Sequence, residues 1–426
     1  MKKKNKNLKL AIIGLGYVGL PLAIEFAKKR LVIGFDINKK RVKQLKSGID
    51  KNLEIINKKI RNSKKLYLTN NKEKLKSANC YIVTVPTPLN ILKKPDLTLL
   101  IKATKMLSKI IKKGDLIIYE STVYPGCTEE ICVPILEKNS KLRYNQGFFC
   151  GYSPERINVG DKDHQISKIK KITSGSTPEI SILIDDLYNE IIEVGTHMVE
   201  SIKIAEAAKI IENTQRDINI ALMNEFSIIF NMLNIDTNAV INAAASKWNF
   251  IPYKPGLVGG HCIGVDPYYL AHKANSIGYK PKVLLAGRAI NESMPNHAAL
   301  KFIREMKKKN IQIKKSRILI MGLTFKENCT DLRNSGAKKL ITELKKFKCD
   351  LDLYDPWADT KEVKKLYNIN LTSKLIRNIY DGVVIVISHN DFKKLGILNI
   401  KNLCKKNHVI FDLKNTFDSS HVDIKL

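Results

Sequence analysis

Residues 9–19 read KLAIIGLGYVG and contain the pattern that decides the fold. The apolar run Leu10–Ile13 has the length of a buried strand. It is followed by Gly14, Gly16 and Gly19 in the spacing GxGxxG. The first glycine permits a tight turn, the second lets the backbone approach a pyrophosphate, and the third lets the next helix pack closely. The stretch therefore predicts a strand, a dinucleotide-binding turn and a helix N-terminus, whose partial positive charge favours phosphate.

The residues around this turn indicate which dinucleotide binds. A second apolar run ends at Asp36, where a carboxylate can accept hydrogen bonds from the adenine-ribose hydroxyls. An acid at that position also repels a 2′-phosphate, which favours NAD over NADP. Arg41 is able to meet a phosphate or stack on adenine, and stacking is favoured beside Asp36. We expect Tyr17 and Val18, inside the turn, to contact the same cofactor.

Apolar runs of strand length alternate with amphipathic, helix-length stretches over the first half of the chain. They are Lys9 to Gly14, Leu31 to Asp36, Cys80 to Val85, Leu116 to Glu120 and Gly147 to Tyr152. Near-continuous apolar strands between helices predict a parallel sheet that is buried on both faces. The same alternation restarts after Lys315 and predicts a second domain of this kind.

The middle of the chain has a helical period. From Ser201 to about Asn234, apolar residues recur at helical spacing, which predicts one long helix that bridges domains and carries a subunit interface. A second helical stretch is predicted from Pro267 to about Lys309. The expected fold is α/β, with two Rossmann-like doubly wound domains joined by a long central helix. The expected domains are residues 1–200, 201–311 and 312–426.

The composition excludes some classes of partner. The chain of 426 residues has a formal charge of +32, but its lysines are scattered and are not collected in one block. Because no helix-turn-helix, RNP or zinc-finger signature accompanies the charge, a solvated lysine-rich surface is favoured over a nucleic-acid interface. No segment approaches the roughly 18 uninterrupted apolar residues of a membrane span. We expect neither nucleic acid nor membrane as a partner.

The cysteines and the first residues bear on the compartment. The eight cysteines include no CxxC pair, which suits a reducing cytosol better than a disulfide framework. Basic residues up to Lys9 and the apolar run behind them imitate a signal peptide, but three glycines, a proline and Glu25 interrupt that run. We expect a cytoplasmic protein. No set of His, Cys and carboxylate residues has metal-ligand spacing, so no metal is expected.

Residues 255–267 read PGLVGGHCIGVDP and combine a flexible loop, a cysteine and a helix start. One interpretation is structural: Asp266 is a helix N-cap, Pro267 is the first helical residue, and Cys262 is a buried thiol. The other interpretation is that Cys262 is a nucleophile. The residues alone leave both open.

Taken together, the motifs resemble the UDP-glucose/GDP-mannose dehydrogenase family over essentially the whole chain. They also resemble, within it, the branch that acts on UDP-N-acetylhexosamines, of the Vi-polysaccharide and O-antigen type. The motifs are IGLGYVGLPLA (13–23), TVPTP (84–88), ESTVYPGCTE (120–129), YSPERIN (152–158), EAAKIIENTQRDINIALMNE (206–225), PGLVGGHCIGVDPYYL (255–270) and GLTFKENCTDLRNS (322–335).

This resemblance implies a two-step, NAD-dependent oxidation of a sugar C6 alcohol to a carboxylate, for surface polysaccharide precursors. The implied substrate is UDP-N-acetylglucosamine or its galacto epimer, with UDP-glucose and UDP-ManNAc as alternatives. Two hydride transfers need a trap for the aldehyde, and Cys262 is implied to form a thiohemiacetal that is oxidised to a thioester. The implied assembly is a homodimer along the long helix.

The resemblance also implies the roles of residues around the nucleophile. Lys209 and Asn213, one helical turn apart, are implied to stabilise the developing oxyanion and to contact substrate. Asp266 would orient or deprotonate the hydrolytic water, and Glu155 is the second candidate for a general base, also at the substrate. Thr122 would hold a catalytic water and lie at the cofactor.

Further contacts are implied on both sides of the reaction. Lys326 is implied to bind the substrate, and Arg333 the cofactor pyrophosphate. Thr87, in the TVPTP motif, is assigned to the cofactor. Substrate contacts are also expected from Phe250, Tyr253 and Lys254, and from Gly260. His261 is expected to shape the loop and not to act as a base.

Two other classes of function are the alternatives, and the presence of the cysteine, lysine, asparagine and aspartate together disfavours both. A one-step β-hydroxyacid dehydrogenase shares the glycine turn and a lysine on a long helix, but does not need Cys262. A non-catalytic nucleotide-sugar sensor, or a polyanion-binding protein, needs neither. The number of NADH molecules formed per sugar, which is two, one or none, separates these classes.

Overall fold

The computed structural model describes residues 7–50, 57–155, 166–260 and 262–426. The chain divides into two compact units, Met1–Glu212 with Tyr268–Lys280, and Asn213–Pro267 with Pro281–Leu426. In these described ranges, no helix has the length and apolar character needed to cross a membrane. The division into three domains, at residues 200 and 311, stays a prediction.

One sheet organises the first unit. Its strands are β1 (Leu10–Ile13), β2 (Val32–Phe35), β3 (Leu66–Thr69), β4 (Cys80–Val83), β5 (Asp115–Tyr119), β6 (Phe148–Tyr152), β7 (Lys171–Gly175) and β8 (Thr196–Met198). Their spatial order is β3-β2-β1-β4-β5-β6-β7-β8, and neighbours are parallel except for β6 and β7. The first six strands have the Rossmann order, so the predicted doubly wound domain is confirmed.

The helices of this unit connect its strands. They are α1 (Gly19–Ala27), α2 (Lys39–Lys46), α3 (Asn57–Asn62), α4 (Thr98–Leu107), α5 (Val133–Ser140) and α6 (Pro178–Asn189). The almost wholly apolar α1 is buried along most of its length, in one core with β1 and β4. Asn38 caps α2, because its side chain accepts hydrogen bonds from the N–H groups of Lys40 and Arg41.

The predicted long helix is confirmed as α7 (Ile202–Met232), which has 31 residues. Its burial differs from that of an ordinary surface helix, which buries an apolar stripe and exposes a polar one. A polar stripe at helical spacing is buried and consists of Glu206, Lys209, Asn213, Asp217 and Asn224. An apolar stripe is exposed and consists of Ile204, Ile211, Leu222, Ile229 and Leu233. The buried face of α7 therefore has a polar centre, flanked by buried apolar residues such as Ile202, Ile210 and Met223.

A parallel sheet organises the second unit. Its strands are β9 (Arg317–Met321), β10 (Asp350–Tyr354), β11 (Tyr380–Ile385), β12 (Cys404–Asp412) and β13 (Ile424–Lys425). The spatial order is β10-β9-β11-β12-β13. Phe302 and Phe411 stack at a centroid distance of 6.3 Å in the core on one face of this sheet. The second Rossmann-like domain is confirmed.

The remaining helices include one correction to the sequence analysis. They are α8 (Thr237–Ala244), α9 (Asp266–Ser276), α10 (Lys282–Lys308), α11 (Gly336–Lys345), α12 (Thr360–Tyr367), α13 (Asn390–Leu395) and α14 (Ile397–Lys401). The stretch predicted as one helical region from Pro267 to Lys309 is two helices, α9 and α10. Gly278 is left-handed, with φ +85°, and Pro281 precedes α10, so the helical hydrogen bonds do not continue between them.

Candidate active site

The glycine turn after β1 has the geometry that a dinucleotide needs. Gly14 is left-handed, with φ +99°, and its N–H donates to the carbonyl of Phe35 over 2.8 Å. A Cβ on Gly19 would lie 1.8 Å from the Gly14 oxygen, so only glycine lets α1 approach this closely. No atom of the described residues lies within 4 Å of a Cβ built on Gly16. That space fits the pyrophosphate of NAD, which would approach the Gly16 backbone.

Asp36 lies directly after β2 and is partly exposed. Its carboxylate accepts hydrogen bonds from Leu15 N–H over 2.9 Å and from Asn38 N–H over 2.8 Å. Arg41 is held nearby, because its Nε donates to the Leu15 carbonyl and its Nη1 lies 2.8 Å from Asp50 Oδ1. The structure therefore brings Asp36 and Arg41 together beside the glycine turn. Tyr17 and Val18, inside the turn, are partly exposed.

A hydrogen bond from a side-chain hydroxyl to a backbone carbonyl connects the TVPTP motif to the loop after β5. Thr87 Oγ1 donates to the Thr122 carbonyl over 2.7 Å, and Tyr269 OH donates to the Thr87 carbonyl over 2.6 Å. Thr84 Oγ1 donates to the Gly14 carbonyl over 2.8 Å. These bonds join the loops after β1, β4 and β5, where the Rossmann strand order reverses and ligands bind.

A buried cluster supports Glu155, which is itself partly exposed. Lys171 Nζ lies 3.1 Å from Glu120 Oε2 and donates to the carbonyl of Pro154, also over 3.1 Å. Tyr188 OH donates to the other oxygen of Glu120. The backbone on the N-terminal side of Glu155 is therefore anchored to the end of β5. Residues 156–158 of the YSPERIN motif lie outside the described residues.

Lys209 is 3% exposed, so it does not lie on a solvated face of the helix, where most lysines are found. One turn earlier on α7, Glu206 is fully buried and accepts hydrogen bonds from the N–H groups of Gly126 and Thr128. Burial raises the pKa of Glu206 to about 7, although these hydrogen bonds lower it. Glu206 thus ties the turn of α7 that carries Lys209 to the loop that follows Thr122.

Asn213 and Asp266 form a direct pair in the second unit. Asn213 Nδ2 donates to Asp266 Oδ2 over 2.6 Å, and the two residues are 5% and 1% exposed. The N–H groups of Val265 and Asp266 both donate to the carbonyl of Cys262, at 3.0 and 2.9 Å, which closes a tight turn. Of the eight cysteines, all of which are described, seven are buried and Cys262 is partly exposed.

The loop that carries Cys262 has two further anchors. Asn224 holds Gly256 on both sides, because its Nδ2 donates to the Gly256 carbonyl over 3.1 Å and its Oδ1 accepts from Gly256 N–H over 2.8 Å. Gly260 N–H donates to the Asn334 carbonyl over 3.1 Å. Gly260 has φ +87°, and a Cβ there would lie 3.0 Å from the Phe325 ring. The loop is therefore fixed before Cys262 as well as after it.

A buried polar network lies behind Asn224. Its Nδ2 also donates to Asn291 Oδ1 over 2.8 Å, and Asn291 Nδ2 donates to Asp217 Oδ1 over 2.8 Å. Arg288 Nη1 lies 2.6 Å from the same Asp217 oxygen. Burial raises the pKa of Asp217, while Arg288 lowers it. All four side chains are buried and each makes at least one of these bonds, so the network holds the Asn224 side chain in place.

The structure also places the remaining predicted residues of the second unit. Lys326 is partly exposed, 5.6 Å from the centroid of the Phe325 ring. Arg333 is exposed, and its Nη2 lies 2.7 Å from Asp331 Oδ2. Phe250 and Tyr253 are partly exposed, and Lys254 is exposed, on the segment between α8 and the Cys262 loop. His261 lies outside the described residues. No group of three or more His, Cys, Asp or Glu side chains among the described residues could hold a metal ion.

Several buried polar residues were missed in the sequence analysis. Glu206, Asp217 and Asn224 belong to the polar stripe of α7, and Arg288 and Asn291 lie on α10. The first three could have been identified from the sequence, because they continue the helical spacing of Lys209 and Asn213. The residues on α10 have no signal without their partners, since an arginine and an asparagine on a helix are ordinarily exposed.

A Rossmann turn with an acid after its second strand, and a separate loop presenting a cysteine beside a buried aspartate, are typical of NAD-dependent dehydrogenases that use a thiol. The chain belongs to the UDP-glucose/GDP-mannose dehydrogenase family. Three profiles of this family match it: the NAD binding domain over residues 8–192, the central domain over 203–293 and the UDP binding domain over 319–419. The protein is therefore an NAD-dependent nucleotide-sugar dehydrogenase.

Individual relatives match almost the entire chain. A UDP-N-acetyl-D-glucosamine 6-dehydrogenase of Salmonella typhi is 54% identical over 98% of this chain and 99% of its own. A UDP-N-acetyl-D-glucosamine 6-dehydrogenase of Pseudomonas aeruginosa is also 54% identical, over 99% of this chain and 100% of its own. The solved structure of a UDP-D-ManNAc dehydrogenase from Pyrococcus horikoshii has 30% identity and a TM-score of 0.87, covering 97% of this chain and 96% of that one.

Proposed function

We propose that this protein oxidises the C6 alcohol of UDP-N-acetyl-D-glucosamine, or of its C4 epimer, to a carboxylate for surface polysaccharide precursors. The observation that carries the proposal is the turn from Cys262 to Asp266, in which the partly exposed cysteine is followed by a buried aspartate held by Asn213 at 2.6 Å. The substrate is supported by two relatives that are 54% identical over nearly the whole chain and are UDP-N-acetyl-D-glucosamine 6-dehydrogenases.

NAD held at the glycine turn and Asp36 would supply the oxidising equivalents, with one NAD molecule accepting a hydride from the sugar C6 in each of the two oxidations. In the proposed mechanism, Cys262 Sγ traps the aldehyde as a thiohemiacetal, so that the intermediate stays bound until it is oxidised to the thioester. Asp266 then orients and deprotonates the water that hydrolyses the thioester, and the hydrogen bond from Asn213 fixes its carboxylate. Lys209 and Asn213 supply positive charge and a hydrogen bond to the developing oxyanion.

The remaining site residues are assigned to the reaction, to NAD or to the nucleotide sugar. Glu155 is the second general base and a substrate contact, and Thr122 holds a water at the cofactor. We assign Gly14, Gly16, Tyr17, Val18, Gly19, Asp36, Arg41, Thr87, Thr122 and Arg333 to NAD. We assign Phe250, Tyr253, Gly260 and Lys326 to the nucleotide sugar, together with Glu155, Lys209 and Asn213. The division at residues 200 and 311 would separate NAD binding, the cysteine loop and UDP binding.

The assembly and compartment belong to the proposal as well. We propose a homodimer in which the apolar stripe of α7 packs against its copy, because five large apolar side chains on one helix face are otherwise left in water. We propose a cytoplasmic protein, since the eight cysteines are irregularly spaced and seven of them are buried.

Stoichiometry tests the function. Purified protein is incubated with NAD and, separately, UDP-N-acetylglucosamine, UDP-N-acetylgalactosamine, UDP-ManNAc and UDP-glucose, and NADH and uronic acid are counted. We expect two NADH per sugar, with the highest kcat/KM for one of the first two substrates. One NADH per sugar would indicate a one-step dehydrogenase, and none with any sugar would indicate a non-catalytic sensor.

A further inference from the structure

His389 occupies a place in the second unit that the mechanism above does not use. It lies just after β11 and precedes α13, and it is fully buried. In the strand order β10-β9-β11-β12-β13, the chain reverses direction across the sheet between β9 and β11. Ligands of open α/β sheets bind at such a switch point, beyond the carboxyl ends of the strands. The loop after β9, residues 324–328, carries Lys326, and we call it the Lys326 loop.

The two ring nitrogens of His389 have different partners. Nδ1 lies 2.9 Å from the backbone nitrogen of Asn328, which is a donor, so Nδ1 accepts and carries no proton. Nε2 lies 3.2 Å from Asp355 Oδ2. Asp355 already accepts hydrogen bonds from the N–H groups of Leu323 and Thr324, so Nε2 carries the proton and donates to it. The imidazole therefore connects the end of β10 to the Lys326 loop.

The Lys326 loop is held at both sides of its lysine. Asn328 is left-handed, with φ +54°, and its side-chain oxygen accepts from Asn390 N–H over 3.0 Å. Thr324 Oγ1 donates to the carbonyl of Lys326 over 2.9 Å and lies 3.3 Å from His389 Nε2. His389 thus contacts both residues that flank the Phe325–Glu327 segment. Trp357 stacks on the ring of His389 at a centroid distance of 6.3 Å and limits its movement.

We propose that His389 is a positioning residue for nucleotide-sugar binding, which acts through Nδ1 and Asn328 to hold Lys326 where it meets the diphosphate of the substrate. The proposal rests on the proposed function, in which Lys326 contacts the UDP-sugar. His389 itself is buried, so it affects the ligand only through the Lys326 loop. A lysine loses rotamer and backbone freedom when it binds an anion, and a loop that is fixed beforehand reduces that entropic cost.

Two substitutions of His389 test the hydrogen bonds of Nδ1 and Nε2 separately. In His389→Asn, the amide oxygen lies near the place of Nδ1 and can still accept from Asn328 N–H, whereas the bond to Asp355 is lost. In His389→Gln, the longer amide reaches towards Asp355, whereas the acceptor for Asn328 is lost. Both variants remove the ring from the same buried site, so a purely structural role predicts similar losses of UDP affinity. The control is His408→Gln, which changes a partly exposed histidine of the same unit.

The affinity for UDP is measured by calorimetry without NAD, together with Tm and the KM values for both substrates. We expect His389→Gln to weaken UDP binding about tenfold and to raise the KM for the UDP-sugar, while the KM for NAD stays unchanged. His389→Asn is expected to bind UDP within about threefold of wild type. Equal UDP affinities of the two variants, whether both are lowered or both unchanged, overturn the proposal.

Lys326→Ala separates this result from the proposed function. If wild type binds UDP and Lys326→Ala weakens it, the double variant with His389→Gln should lose no more affinity than Lys326→Ala alone, because both changes remove one interaction. Additive losses overturn the role of His389 and leave the role of Lys326 standing. Wild-type affinity in Lys326→Ala, or no UDP binding by wild type, contradicts the proposed function itself.

Discussion

Asp36 and Asp355 accept equivalent backbone hydrogen bonds in the two different sheets. Each follows the second strand of a Rossmann-like unit, and its Oδ2 accepts from the N–H of Leu15 over 2.9 Å or of Leu323 over 2.6 Å. Each leucine follows a left-handed glycine. Asp355, however, is 2% exposed and also accepts from Trp357 N–H, whereas Asp36 is partly exposed. The equivalent carboxylates therefore have different roles, structural for Asp355 and available to a ligand for Asp36.

Asp36→Ala should raise the KM for NAD and relax the bias against NADP. Hydrogen bonds to a charged group contribute about 1.5–3 kcal/mol, which corresponds to roughly a 10- to 100-fold rise in KM. Steady-state kinetics with NAD and NADP measure both effects, and Glu73→Ala, at an exposed carboxylate of the same unit, is the control. Equal use of NAD and NADP by wild type would contradict the assignment of Asp36.

Asn224→Ala should slow the reaction without touching the nucleophile. Loss of the Asn224 amide leaves the N–H and the carbonyl of Gly256 without their side-chain partner. Each unpaired buried group lowers the free energy of unfolding by about 1–3 kcal/mol. We expect a lower kcat, a lower Tm and a changed rate of Cys262 alkylation by iodoacetamide. Asn219→Ala, at a partly exposed position of the same helix, should leave all three unchanged. Wild-type kcat in Asn224→Ala would show that the loop does not need this anchor.

Glu206→Gln should change the pH dependence of stability. Because burial raises the pKa of Glu206 from 4.5 to about 7, its protonated form favours the folded state below pH 4.5, and this contribution disappears as the pH rises through 7. Its size is roughly 3 kcal/mol, at about 1.4 kcal/mol per pKa unit. The Tm of wild type minus that of Glu206→Gln should therefore fall between about pH 5 and pH 8. Glu200→Gln, at an exposed position, is the control. If the Tm difference between wild type and Glu206→Gln does not change with pH, the pKa of Glu206 is not raised in the folded protein.

The apolar stripe of α7 predicts the oligomeric state. Sedimentation at micromolar concentration should show a dimer for wild type and a monomer for the double variant Ile211→Glu with Leu222→Glu, because two charges would be buried in the interface. Leu398→Glu, which replaces an even more exposed apolar residue far along the sequence, should remain a dimer. A monomeric wild type would rule out the interface.

The fold was largely predictable because its central strands are continuous apolar runs. β1, β4 and β5 are buried at every position, so their composition alone separates them from the helices. β3, β7 and β8 were missed. β3 and β8 are the edge strands of their sheet and carry exposed residues such as Tyr67 and Met198, whereas β7 is an interior strand whose sequence, KITSG, is largely polar. An edge strand packs on fewer neighbours, so its sequence has a weaker apolar pattern.

Candidate site residues could be proposed from the sequence where a motif carries its own chemistry, as for Gly14 and Cys262. The support around it was not, because its members are distant in the sequence and each is an ordinary polar residue by itself. The amide of Asn224 and the backbone of Gly256 illustrate this, since neither indicates the other until the chain is folded. His389 and Asp355 are a second pair of this kind.

Cys262→Ser tests the covalent mechanism most directly. The substitution leaves the glycine turn, Lys209 and the pair of Asn213 and Asp266 in place, but a hydroxyl is far less nucleophilic than a thiolate at neutral pH. Turnover should fall by roughly several orders of magnitude. A hemiacetal that forms on the introduced serine would be oxidised to an ester, which hydrolyses more slowly than a thioester, so covalent adduct should accumulate over hours.

Intact-protein mass spectrometry of Cys262→Ser, incubated with NAD and UDP-N-acetylglucosamine, measures that adduct. The control is Cys349→Ser, which changes one of the seven buried cysteines and should retain wild-type production of the uronic acid with no adduct. An adduct on the Cys262→Ser variant that is absent without NAD assigns the nucleophile, because ester formation requires both oxidations. Near-normal steady-state production of uronic acid by Cys262→Ser would mean that the aldehyde is oxidised without a covalent bond to this position, and the thiol mechanism would then be wrong.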